Sequence, residues 1–201
     1  MPMLQQLLDS NTIRGQVVRL AQPAGPGTVI LDLLLQQSNR LDVPPSYCRI
    51  SAHRARECTI SEHEFDSIRQ VNRHPLLWTH DQDELELFVQ QPATDADKLL
   101  GQLAARHLAL THGWLPFGAC FNAAVPLTKL LSSSLVMFAE GPKPLITAYQ
   151  EILEAAGARC SVISHGSMLS ADAPEGPQLL LLGRSFVIAE SFEAEPISPP
   201  P

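Results

Sequence analysis

The chain is poor in the features that announce most functions. Its four cysteines in 201 residues are too few for a disulfide framework and imply a reducing compartment. No uninterrupted apolar run reaches the roughly 18–20 residues that a membrane-crossing helix needs. The first ten residues, Met1 to Ser10, have no basic start, no long apolar stretch and no small-residue cleavage site, so they do not read as a secretory signal. GxGxxG, GxxxxGK[ST] and GxSxG are all missing, which removes the usual phosphate-cradling loops and the strained serine elbow. Localisation is therefore expected to be cytoplasmic.

What is present is apolar enough to fold. Hydrophobic residues make up 45% and charged residues 17%, far from the composition of a disordered chain. The net charge of −7 is unevenly placed. Residues 1–80 carry eight Lys/Arg and seven Asp/Glu, whereas residues 81–201 carry six and fourteen. An acidic C-terminal half repels phosphate backbones and argues against nucleic acid as a partner. The basic cluster Arg49, Arg54 and Arg56, interrupted by Glu57, reads as a solvated strand face.

A short helix expected over Pro2–Leu8 precedes β-rich runs at Ile13–Ala21 and Thr28–Gln36, separated by the Pro/Gly-rich break 22–27. Asp32 interrupts the second run and calls for solvent or a polar partner. Further strands are expected at Tyr47–Ser51 and Glu57–Ile60. Ser61-Glu62-His63-Glu64 has the form of a capping box, predicting a helix with Phe65, Ile68 and Val71 on one side. Pro75–Asp83, with Trp78, is the expected boundary between halves.

Two strand-then-helix units follow. Leu85–Val89 leads into Asp95–His112, capped by Thr94 or Asp95 and stopped at Gly113, with Ala96, Leu99, Leu100, Leu103, Ala104 and Leu110 in one stripe. Leu135–Ala139 leads into Pro142–Ala156, with Leu145, Ala148, Tyr149, Ile152, Leu153 and Ala156 on its apolar face and Gly157 as its stop. Arg159–Ser164 resumes β structure. Gln178–Leu182 and Ser185–Phe192, split by Gly183-Arg184, read as a type II′ hairpin. The tail from Glu193 is acidic, then proline-rich, and expected to be loose.

The fold class is α+β. Residues 1–78 form a mainly antiparallel β part with one helix. Residues 79–195 form β-α-β-α-β plus a β-hairpin, with two helices packed on a mixed sheet, and 196–201 are a flexible tail.

Five constellations could carry chemistry. Cys48, His53, Cys58 and His63 recur every five residues, yet this spacing alternates strand faces and lacks the tight knuckle of zinc sites, so no metal is expected. The strand-to-helix turn containing Gly141 and Lys143 could hold an anion at a helix N-terminus, although Pro142 and Pro144 remove two amides. The loop 112–122 holds His112 and Cys120, the minimal base and thiol nucleophile, and also Trp114 and Phe117, which suit a recognition surface. His107 lies on the apolar stripe and reads as a core histidine with one hydrogen bond. Asp81, Asp83, Glu84 and Glu86 form a solvated acidic patch. No motif demands a cofactor. The sequence reading is a soluble, non-catalytic interaction or regulatory protein whose partner is another protein, binding through Trp114, Phe117, Gly141 and Lys143. Nucleic acid and membrane are not expected partners. The alternative is a small-molecule enzyme using Cys120 and His112.

Overall fold

In a computed structural model describing residues 13–21, 27–37, 44–93, 95–164 and 176–199, the chain is a mixed α+β protein built on antiparallel sheets. The strands are β1 Ile13–Ala21, β2 Thr28–Gln37, β3 Ser46–His53, β4 Glu57–Thr59, β5 Glu64–Phe65, β6 Ile68–Val71, β7 Glu84–Gln91, β8 Val136–Pro142, β9 Arg159–Ser164, β10 Gln178–Leu182, β11 Ser185–Ala189 and β12 Ser191–Ile197. The helices are α1 Trp78–Asp81, after a 3₁₀ turn at Pro75–Leu77, then α2 Ala96–Thr111, α3 Leu127–Leu130 and α4 Lys143–Ala155. Two compact units result, residues 1–74 with 174–201, and residues 75–173.

The first unit follows from period-2 burial. Val29, Leu31, Leu33 and Leu35 on β2 and Cys48, Ile50 and Ala52 on β3 point into one core, because alternate side chains of a strand share a face. The sheet β12-β3-β2-β1-β5 and the sheet β4-β11-β10-β6 contribute to that same core. Among the described residues four chain segments pass from one sheet to the other: β3 into β4, β4 into β5, β5 into β6, and β11 into β12. A bulge at Val17/Arg19 leaves Val18 unopposed on β1.

Three expectations change here. The helix from the capping box does not form: Glu64–Phe65 and Ile68–Val71 are strands pairing with β1 and β10. Ser185, far along the chain, takes the Ser61 and Glu62 amides on its Oγ at 3.1 Å each, and donates to Glu62 O at 2.9 Å. The Ser61 amide, which Glu64 would take in a capping box, is thus satisfied by tertiary structure. The hairpin 178–189 belongs to the first unit rather than to the C-terminal half, since β10 pairs with β6 and β11 with β4. The tail is not loose from Glu193 either, because β12 pairs with β3 from Ser191↔His53 to Ile197↔Tyr47. The expected helix over 2–8 and most of the loops 22–27 and 165–177 lie outside the described residues.

In the second unit β7 is central, with β8 and β9 antiparallel on either side. The sheet is therefore antiparallel, not mixed as expected: β8 and β9 run the same way but are separated by β7. Leu85, Leu87 and Val89 face the helices. Helix α4 lies across all three strands and buries Leu145, Ile146, Ala148, Tyr149 and Leu153. Helix α2 packs chiefly on α4 rather than directly on the sheet, burying Leu99, Leu103, His107 and Thr111 at four-residue spacing. Asp95 caps α2 by accepting from the Lys98 amide at 3.1 Å. No helix among the described residues is long and apolar enough to cross a membrane.

Candidate functional site

The loop that the sequence singles out is built from the end of α2. His112 takes the left-handed C-cap conformation (φ 51°), followed by Gly113 at φ 78°. The chain then turns back over its own helix. His107 is buried and spans the turn, with Nε2 2.7 Å from Leu115 O and Nδ1 2.7 Å from Tyr149 Oη. A carbonyl can only accept, so Nε2 carries the proton, and in the neutral ring Tyr149 donates to Nδ1. His107 is thus a core histidine with both nitrogens satisfied, one hydrogen bond more than expected.

Phe117 packs edge-on to His107 (centroids 5.4 Å) and to Phe121 (5.0 Å), and Phe121 stacks on Tyr149 at 5.3 Å. These ring contacts fix the loop to the core. Its end then joins the edge of β8. Phe121 bridges Ala139, the Glu140 amide donates to Cys120 O at 2.8 Å, and Asn122 Nδ2 donates to Met137 O at 3.1 Å.

This edge brings Cys120 and Gly141 together: a Cβ at Gly141 would lie 3.1 Å from Cys120 Sγ. His112 does not join them. It is exposed at the helix end, and among the described residues it makes no hydrogen bond to Cys120. Burial pushes the Cys120 thiol up, and the nearby Glu84 charge adds to this. A nucleophilic thiol needs the opposite environment. Lys143 is occupied by Asp83, its amide donating to Asp83 O at 2.9 Å and its Nζ lying 3.9 Å from Oδ2. Trp114 is half-buried in the loop, and Gly141 is buried.

The five-residue Cys/His series is dispersed as strand parity requires. Cys48 points into the core, His53 lies on the opposite face of β3, Cys58 is half-buried on β4, and His63 is exposed. Among the described residues no group of three or more His, Cys, Asp or Glu gathers closely enough to hold a metal ion. The basic cluster is paired. Arg49 Nε and Nη2 donate to Asp32 Oδ1 and Oδ2 at 2.7 and 3.0 Å, and Arg54 and Arg56 both reach Glu190.

Sequence reasoning missed a groove in the first unit, about 660 Å³ and open to solvent. Leu34, Pro45, Gly15, Gly183 and buried Phe65 contribute to its lining. Gly15 has no room for a side chain, because a Cβ there would collide with the Phe65 ring and lie 2.8 Å from Leu34 O. Gly183, at φ 58°, sits against Phe65 Cβ. The rim is charged with both signs: Arg14 and Arg184, and Glu62, Glu64 and Asp66. All five are exposed, and none makes an ion pair among the described residues. The sequence holds one faint sign of this groove, a glycine inside a strand, which marks close approach by another group.

No family model, curated protein or solved structure matches this chain.

Proposed function

We propose that this is a non-catalytic interaction protein, acting in the cytoplasm and recognising another protein through the groove of its first unit. The observation that carries the reading is the groove's mixed-charge rim, whose five charged side chains leave one another unpaired. A small-molecule site is typically enclosed and mostly apolar with a few placed polar groups. An open groove with charges of both signs is better matched to a polypeptide surface, where complementary charge sets specificity and association rate.

Three further observations support it. The thiol-nucleophile alternative lacks a base, since His112 is not hydrogen-bonded to Cys120, and the thiol is pushed up rather than down. The basic cluster Arg49, Arg54 and Arg56 is engaged by Asp32 and Glu190 rather than left for phosphate. All four cysteines are free, in keeping with a reducing compartment. Trp114, half-buried in the 112–122 loop, is a second contact point in this reading.

The test compares proteins captured at native expression by the wild-type chain and by the double variant Arg14→Glu, Arg184→Glu. Both positions are exposed, so the variant should melt within about 1 °C of wild type. Loss of a specific partner from the variant supports the reading. Identical capture by both proteins overturns it.

A further inference from the structure

Two of the groove's charges, Arg14 and Glu64, stand in a defined register. Glu64 on β5 is directly opposite Gln16 on β1, and Arg14 lies two residues before Gln16. Because strand side chains alternate, Arg14 and Gln16 project from the same face, and Glu64 shares it as Gln16's cross-strand neighbour. An acidic and a basic group are therefore offset along the strand by two residues, or about 6.5 Å. Both are exposed and neither has an ion partner among the described residues. On that same face Leu34 of β2 stands opposite Gln16, whereas Gly15 and Phe65 face the core on the other side of the sheet.

An extended peptide carries the same repeat. Its side chains i and i+2 lie on one face and about 6.5 Å apart. We infer that the groove binds an extended segment of a partner protein in which a basic and an acidic residue alternate, Lys/Arg-x-Asp/Glu or the reverse. The basic side chain lies on Glu64 and the acidic one on Arg14. Like charges at those two places are repelled by one rim group or the other, and adjacent charges fall on opposite faces of the peptide. This inference rests on the reading of the protein as an interaction module and specifies what that module recognises.

The experiment is an NMR titration of the full-length, ¹⁵N-labelled protein with capped pentapeptides at low salt. The probe is acetyl-Ala-Lys-Ala-Glu-Ala-amide. Its comparators are the adjacent-charge isomer with Lys-Glu in sequence, an all-Lys and an all-Glu version, and a neutral Ala/Gln version. Isolated exposed ion pairs are weak, so the probe is expected to bind at about 1 mM. It should shift the amides of Gly15, Gln16, Glu64 and Gly183 and weaken several-fold on raising salt to about 0.5 M. Arg14→Ala and Glu64→Gln should each weaken it about fivefold, with Arg14→Lys retaining most of the binding.

Stronger or equal binding of a single-sign or adjacent-charge peptide at the same amides overturns the alternating-charge inference while leaving the groove an interaction site. No groove shift with any peptide overturns the inference outright. Groove shifts that grow with protein concentration alone, together with a dimer in sedimentation, would put a second copy of this chain in the groove and also overturn it.

Discussion

Asp32 sits on the outward face of β2, yet it is 1% exposed because the Arg49 guanidinium lies over it in a two-pronged hydrogen bond. That bond holds the Asp32 carboxyl below the usual carboxylate range despite the opposing cost of burial. A carboxyl held down in the fold contributes stability above its unfolded value, about pH 4, and loses it as pH falls through the depressed folded value. Asp32→Asn should therefore cost about 2 kcal/mol near neutral pH, judged by the urea midpoint. This is less than for a fully buried pair, since Arg49 is one-third exposed. The gap between wild type and variant should narrow as pH falls below the unfolded value and through the depressed folded one. A gap constant from pH 7 to pH 3 would contradict the assignment. The Cys120 thiol gives a second residue-scale prediction. Burial and Glu84 raise it, so iodoacetamide at pH 7.5 should modify Cys120 at least tenfold more slowly in the folded protein than in urea. Fast modification in the folded state would revive the nucleophile. At this scale the sequence was informative about kind and silent about partner. The need of Asp32 for a polar neighbour follows from its place in an apolar run, but the identity of that neighbour depends on the β2–β3 register. His107 is legible as core from its stripe, while its second hydrogen bond comes from a loop carbonyl eight residues on.

Elements fixed by local periodicity were readable, and those fixed by distant partners were not. Helix α4 shows why: its apolar face, proline start and glycine stop lie within fifteen residues and agree with one another. The segment 61–71 shows the opposite. Ser61-x-x-Glu64 and the spacing of Phe65 and Ile68 favour a helix, but β1 and β10 offer strand partners, and Ser185 takes the Ser61 and Glu62 amides. Ser185→Ala should accordingly cost about 2 kcal/mol, since it removes three hydrogen bonds made by a buried hydroxyl. A loss under 0.5 kcal/mol in the denaturation midpoint would show that water replaces the hydroxyl. Composition likewise hid β12, whose acidic and proline-containing sequence tolerates an edge position. Truncation after Glu190 removes seven residues paired with β3, exposing Cys48, Ile50 and Ala52. The truncated chain should lose the cooperative melting of the first unit. Unchanged amide exchange protection of β3 after truncation would refute that role.

At the scale of the whole chain, α+β class was legible but the strand partners were not. The first unit is closed by a hairpin more than a hundred residues from the strands it joins, and no local pattern carries that return. The groove has the same origin, being assembled from residues 14–16, Leu34, Gln36, Pro45, Glu62, residues 64–67 and residues 183–184. Each piece is unremarkable alone, and only the fold makes a site of them. The functional account depends on that site meeting another polypeptide. A photo-crosslinking residue placed at Gln16, in the groove, and separately at Glu151, on the solvent face of α4, tests this in the cell of origin at native expression. The account predicts a discrete crosslinked partner from position 16, abolished by Arg14→Glu with Arg184→Glu, and none of that species from position 151. Equal crosslinking from both positions, or none from position 16, would contradict it.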